Sequence, residues 1–472
     1  MPIQDHDCST EKSNAFCLDG EYRRPDINLW GYENDTMTQA APYVIIGNGI
    51  AGVTAAETLR SESPGAAIAM IASDSQPVYY RPALKDYLAG RVGEEKLPAR
   101  PTTFYQDQQL YTLADRVVGI NPQQHILQLH SGRQLPYARL LLANGAQPRR
   151  LACPGCDLTG VTTLRSIADY QALLARLPRV RQVVVVGGGT LALETVESLR
   201  QRRYEVTHVI RGSTLWPVVL DETASDLVLQ QEIHDGVTVR LNEEIIDITG
   251  EQGQVNGVVT SGGMHIPCQQ VIVAIGIEPT IDYIKRSGIV CGRGVRVDSL
   301  MRTNIPDIYA AGDVVETVDS RTGQARVIGQ WYPAVQQGRA AAYSMLDLVD
   351  THRPLQTGTF YNATFLYGLD FAAVGLTNAQ GSSFQHVVAT ARPRTYRKVT
   401  LYQGIAVGML ALGDRREALA FKRAIDYGVN VAPIASSLVE DAFSLHDWLD
   451  RQHVPPPIMG GGKKETMLTM RE

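Results

Sequence analysis

Two glycine-rich segments, each directly behind an apolar β-branched run, could do chemistry in this chain. The first is Tyr43-Val44-Ile45-Ile46-Gly47-Asn48-Gly49-Ile50-Ala51-Gly52; the second is Val183-Val184-Val185-Val186-Gly187-Gly188-Gly189-Thr190-Leu191-Ala192. Glycines at this spacing suit a pyrophosphate. Gly47 turns out of the strand, Gly49 lets the backbone approach the phosphates, and Gly52 lets the helix pack closely on the sheet. Gly187, Gly189 and Ala192 take the same places in the second copy, with alanine a permitted third residue. A helix starting there points unpaired amides and its positive dipole end at the phosphates. One such pattern arises by chance as a ligand-free turn. Two of them predict two dinucleotides side by side, with electrons passing between them.

Other residues extend this reading. Asp74 follows the strand expected at Ile68–Ile71, at about the spacing where an acid meets a ribose hydroxyl. Leu140-Leu141-Leu142-Ala143-Asn144-Gly145-Ala146 is a buried-strand run ending in a glycine turn, and Val271-Ile272-Val273-Ala274-Ile275-Gly276 closes similarly. In the second unit the strand end reads Val206-Thr207-His208-Val209-Ile210-Arg211-Gly212-Ser213-Thr214. Ile210 occupies the acid position of a diol-binding site, and Arg211 follows it. A guanidinium can grip a 2′-phosphate, with Ser213 or Thr214 adding a hydroxyl. This favours NADPH, or dual use with NADH; the alternative is a solvated surface arginine.

These residues need domains to hold them. At 472 residues and 44% hydrophobic content, the chain can fill two or three cores. A formal net charge of −5 without any Lys/Arg run disfavours nucleic-acid binding. No apolar stretch approaches the roughly 18–20 residues of a membrane span, and the polar start Met1-Pro2-Ile3-Gln4-Asp5-His6-Asp7 has no signal-peptide core. A cytoplasmic protein is the expectation. Six cysteines in this length do not make a disulfide scaffold. Cys8 and Cys17 fall in the polar N-terminal segment, and Cys268 and Cys291 are isolated. Cys153-Pro154-Gly155-Cys156 has a redox or metal spacing but no second such pair, and it falls in a connecting loop.

Along the chain, residues 1–41 read as an extension outside the fold, with Trp30 and Tyr32 as its aromatics. A helix is expected over Val53–Leu59. Short strands are expected at Val295–Asp298 and Ile308–Asp313, with a helix from Gln336. Beyond Arg353 a hairpin (Thr395–Leu401, Gly404–Gly413) and a helix (Glu417–Tyr427) read as an α+β domain, followed by a flexible tail over 456–472.

With these motifs the chain resembles the two-dinucleotide-binding-domain flavoproteins of the pyridine nucleotide–disulfide oxidoreductase superfamily. Within it, it looks most like rubredoxin and ferredoxin reductases and the flavin module of NAD(P)H nitrite reductases. The most specific piece is Met301-Arg302-Thr303-Asn304-Ile305-Pro306-Asp307-Ile308-Tyr309-Ala310-Ala311-Gly312-Asp313-Val314. The resemblance implies two Rossmann-like domains, for FAD and NAD(P), plus a C-terminal α+β interface domain. The FAD domain would be discontinuous, over 42–149 and 281–352, with the NAD(P) domain at 150–280 and the third domain at 353–455. It further implies that Gly312 and Asp313 meet the FAD ribityl chain, and that Tyr80-Arg81-Pro82 runs past the flavin. Lys85 is the nearest counterpart, about one position early, of a lysine beside the flavin. Trp331 would line the flavin edge, or be a plain core tryptophan. Glu194 would be an acid near the nicotinamide, and Gly276 would let the nicotinamide lie against the flavin.

Ser73 to Gly90 contains no cysteine, and Val431-Ala432-Pro433-Ile434 has no histidine. The dithiol pair and acid–base pair of the disulfide reductases are therefore missing. The expectation is an FAD-dependent NAD(P)H oxidoreductase passing electrons to a carrier protein or partner subunit, with dimerisation left open. Alternatives are a flavin subunit of a nitrite-reductase-like complex, a small-molecule reductase or peroxide-forming oxidase, and a redox-responsive assembly protein of the apoptosis-inducing-factor type.

Overall fold

The structure, a computed structural model, describes residues 41–74, 76–318, 323, 325–348, 359–389 and 394–458. Trp30, Tyr32, Cys8, Cys17 and the tail from 459 lie outside the described residues.

Two parallel five-stranded sheets repeat one plan. In the first, the order is Ile308–Ala310, Arg139–Leu142, Tyr43–Ile46, Ile68–Ala72, Tyr111–Ala114. In the second it is Val161–Thr163, Gln270–Val273, Gln182–Val186, Glu205–Ile210, Thr238–Leu241. Each glycine turn thus leaves the middle strand of its sheet. Those strands are continuous apolar runs because helices and meanders cover both faces; Val44, Ile45 and Val183 to Val185 are essentially sealed from solvent. In each unit a three-stranded antiparallel meander, 117–136 in the first and 245–267 in the second, precedes a strand that pairs with the middle one, Arg139–Leu142 and Gln270–Val273 respectively.

The chain passes between the units through Ala146–Pro148 and returns through Ile277–Pro279, and these two segments pair antiparallel. The second unit is therefore inserted into the first. The first glycine helix runs over Ile50–Glu62, longer at both ends than the expected Val53–Leu59; at its N-terminal end it begins immediately after Gly49. It packs on the helix Trp331–Met345 so closely that a Cβ on Gly338 would lie 2.2 Å from the Ala51 carbonyl oxygen.

The third domain is an antiparallel five-stranded sheet, ordered Tyr361–Leu366, Leu369–Gly375, Ile405–Leu412, Tyr396–Tyr402, Phe384–Val388. Helices Ala418–Asp426 and Leu445–Arg451 cover one face. Residues 456–458, where a flexible tail was expected to begin, are held: Tyr427 donates to the Pro456 carbonyl and the Ile458 amide donates to Asp426. Among the described residues no helix is long and apolar enough to cross a membrane.

Candidate functional site

Backbone geometry explains the glycines individually. Gly47 has φ +112° and a Cβ there would lie 2.2 Å from the Ala143 carbonyl oxygen; Gly187 has φ +128° and would strike the Ala274 oxygen at 2.3 Å. A Cβ on Gly52 would meet the Gly47 oxygen at 2.2 Å. Gly49 and Gly189 are different: a Cβ on either would find nothing within 4 Å. No contact within the protein accounts for their lack of a side chain. Each is the N-cap of its helix, and neither cap supplies a side-chain acceptor to the first-turn amides.

Polar side chains gather at the first turn. Asp313 follows Gly312, whose φ is +83° and whose amide donates to Gln337 Oε1 at 2.8 Å. Arg165 Nη2 donates to Asp313 Oδ2 at 2.7 Å. Arg81 opens the short 3₁₀ turn Arg81–Ala83, with Pro82 inside it, and lies 5.4 Å above the Tyr79 ring. Burial first, then neighbouring Arg165, push its guanidinium below the usual arginine range, against the pull of Tyr79, Asp313 and Asp74. Asn144 donates through Nδ2 to the Thr280 carbonyl at 2.8 Å, and Gly145 follows it with φ +70°. Asp74 is exposed and caps the Gln76 amide at 2.9 Å. Trp331 starts its helix edge-on to Tyr80, with centroids 4.9 Å apart.

Arg81 Nη1, Asn144 Oδ1 and Gln330 Oε1 are buried without a hydrogen-bond partner, and so is Thr190 Oγ1 at the second turn. Buried polar atoms are normally satisfied. Orphans at both turns, beside bare glycines and free helix amides, fit bound dinucleotides. Arg165 escaped the sequence reading, since an arginine before a helix cap at Ser166 carries no special signal.

Between the units, Lys85 Nζ donates to Glu194 Oε1 at 3.1 Å and to Thr364 Oγ1 at 2.5 Å. Lys85 lies on the helix Leu84–Ala89 of the first unit, Glu194 on the helix Thr190–Gln201 of the second, and Thr364 in the third domain. Burial pushes the Glu194 carboxyl up, and Lys85 pulls partly against it. The arrangement can hold a proton where all three domains meet.

At the end of strand Glu205–Ile210, Ile210 is buried, and a Cβ on Gly188 would come within 3.1 Å of it. The Arg211 side chain is 84% exposed and lies 3.5 Å from Glu244. Gly276 has φ +106° and open space around it. Cys153 and Cys156 are free thiols against the second unit's meander. Among the described residues no group of His, Cys, Asp or Glu is placed to hold a metal ion.

The chain is 35% identical over 303 residues to the biphenyl dioxygenase system ferredoxin–NAD(+) reductase component of Paraburkholderia xenovorans (strain LB400), covering 64% of this chain and 74% of that protein. It is 32% identical over 300 residues to a rubredoxin–NAD(+) reductase of Pseudomonas putida, covering 60% and 78%. The crystal structure of a ferredoxin reductase for the CYP199A2 system from Rhodopseudomonas palustris superposes with a TM-score of 0.78 at 26% identity, over 88% of this chain and 100% of the other. Residues 41–338 match the family described as pyridine nucleotide-disulphide oxidoreductase. With a match over more than half its length, on two nucleotide cradles built alike, the chain belongs to the pyridine nucleotide-disulphide oxidoreductase family, whose members imply FAD and NAD(P)H.

Proposed function

We propose that this protein is an FAD-dependent NAD(P)H oxidoreductase that passes electrons to a small carrier protein, without a redox-active disulfide. The observation that carries this reading is the pair of bare glycine cradles on twin parallel sheets, joined by Lys85 and Glu194. FAD, when bound, links a hydride donor to one-electron acceptors. The chain's residues bind and orient. The Gly47–Gly52 turn, Arg81, Asn144 and Asp313 would hold FAD, and the Gly187–Ala192 turn the nicotinamide dinucleotide. Lys85 and Glu194 hold a proton between the units and screen it with Thr364. Ser73 to Gly90 has no cysteine, so no thiol relay stands in that segment. The likeness to ferredoxin- and rubredoxin-linked reductases favours an iron–sulfur or rubredoxin-type acceptor.

The test is anaerobic reduction of the purified yellow protein by NADPH or NADH, followed by mixing with a rubredoxin, a [2Fe–2S] ferredoxin, a cytochrome and dioxygen in turn. The reading expects bleaching by a nicotinamide and fastest reoxidation by an iron–sulfur or rubredoxin carrier. Failure to bleach overturns it, and fastest reoxidation by dioxygen replaces the carrier reading with an oxidase.

A further inference from the structure

A buried polar chain lies behind the second glycine turn. His208 sits in the interior of the strand Glu205–Ile210 and is fully buried. Its Nδ1 is 2.9 Å from Glu232 Oε2, and its Nε2 is 2.5 Å from the Gly187 carbonyl oxygen. Glu232, also fully buried, accepts the Tyr367 hydroxyl at 2.5 Å, and that hydroxyl also lies 3.1 Å from the Leu193 carbonyl. Tyr367 belongs to the third domain, in the turn joining Tyr361–Leu366 to Leu369–Gly375.

The twin sheets supply their own control. His208 pairs in register with Val185, two residues before Gly187; in the first sheet Met70 pairs with Ile45, two residues before Gly47. The first copy places an apolar side chain where the second places an imidazole. A buried imidazole and carboxylate are costly unless fully bonded. The third glycine differs as well. Gly52 leaves room for the Gly47 carbonyl, whereas Ala192 carries the Cβ that would meet it at 2.2 Å in the first copy. The Gly187 carbonyl therefore needs another place, and His208 Nε2 provides a donor for it.

We propose that His208, held by Glu232 and Tyr367, is a positioning residue for the nicotinamide dinucleotide. It pins the Gly187 carbonyl and so turns the Gly188 amide toward the pyrophosphate. In a trans peptide the carbonyl and amide point in opposite directions, so fixing one aims the other. The next peptide is pinned the same way: the Trp216 amide donates to the Gly188 oxygen at 2.6 Å, and the Trp216 ring stacks on Phe371 of the third domain with centroids 5.6 Å apart. Both pins rest on one hairpin of the third domain. A turn with its carbonyls held behind it presents a preformed anion nest in front.

This inference rests on the proposed function, and its test separates the two. The full-length flavoprotein is compared with His208→Met, Glu232→Gln and Tyr367→Phe. NAD+ and ADP-ribose binding are measured by calorimetry, hydrogen exchange over residues 186–191 by mass spectrometry, and flavin reduction by stopped flow. His208→Met is expected to weaken both ligands about three- to tenfold, the range of one hydrogen bond. Exchange at the turn rises, while FAD content and the limiting reduction rate stay within about twofold of wild type. Glu232→Gln rescues, because the amide accepts from Tyr367 and donates to Nδ1, leaving Nε2–H for Gly187. Should His208→Met fail to fold, Tyr367→Phe gives the same effects from the far end of the chain. Unchanged affinity with only a lowered Tm overturns the inference. A wild type that binds ADP-ribose but is not reduced by either nicotinamide overturns the proposed function instead.

Discussion

Lys85 and Glu194, 109 residues apart in sequence, lie 3.1 Å apart, and the contact joins the helix after the first nucleotide unit's second strand to the glycine helix of the other. Both side chains are about one-fifth exposed, so solvent screens the pair only in part. Removing Lys85 leaves a largely buried carboxyl without its cation. Burial holds the Glu194 carboxyl above the ordinary glutamate range, so the folded protein binds that proton more tightly than the unfolded chain does. Its contribution is present at low pH and is lost as pH rises through the folded value. Lys85→Met removes the opposing pull and raises that value further. The variant is expected to lose about 1–3 kcal/mol near pH 8, and less near pH 5. Thermal melts at both pH values measure this, and adding Glu194→Gln should remove the pH dependence. A loss equal at both pH values would remove Glu194 from the account.

The two kinds of glycine separate fold from ligand. Gly47→Ala forces a Cβ into the Ala143 carbonyl at a φ of +112°. It is expected to cost roughly 3 kcal/mol or more and to melt early. A Cβ at Gly49 meets no protein atom within 4 Å, so Gly49→Val should fold with at most about 1 kcal/mol lost at the N-cap. It should nonetheless purify colourless, because the isopropyl group stands where the pyrophosphate approaches. Stoichiometric FAD in the folded Gly49→Val protein would remove the first cradle from the assignment.

Cys153 and Cys156 are half-buried, and burial, then Cys156, then Asp247, raise the Cys153 thiol above its ordinary value. A protonated thiol is a poor nucleophile and a poor electron relay. Replacing both cysteines by serine should leave flavin reduction by NAD(P)H within about twofold. A tenfold loss, about 1.4 kcal/mol of barrier, would place the loop on the electron path.

Local patterns were legible in the sequence and long-range pairings were not. The two glycine turns announce themselves because turn, strand and helix are adjacent in the chain, and the α+β character of the third domain followed from its hairpin. Lys85 and Glu194 could each be named, yet nothing local says that they meet, or that Thr364 completes the contact. Nothing local to His208 announces its partners: Glu232 lies 24 residues from it, and Tyr367 lies 135 residues from Glu232. Arg165 was missed for the same reason, since only the fold brings it to Asp313. The first helix was expected too short because Ile50 to Gly52 were counted to the turn, whereas a glycine at the third position is already helical.

Coenzyme choice turns on Arg211. Its side chain is 84% exposed, beside a buried Ile210 that offers no carboxylate to a ribose diol. It lies 3.5 Å from Glu244, itself about half exposed, so the guanidinium is already in the presence of an anion. A 2′-phosphate must compete with that carboxylate, and solvent screening limits what either partner gains. Arg211→Ala is therefore expected to lower kcat/KM for NADPH about tenfold, near 1.4 kcal/mol, with NADH nearly unaffected. Glu244→Gln should act in the opposite direction, freeing the guanidinium and lowering the KM for NADPH. Both effects should shrink at high ionic strength, because the groups are exposed. The measurement is kcat/KM for each coenzyme with an artificial acceptor, at low and high salt. Equal losses for NADPH and NADH in Arg211→Ala would make the arginine a structural partner of Glu244, and the preference for NADPH would fall with it.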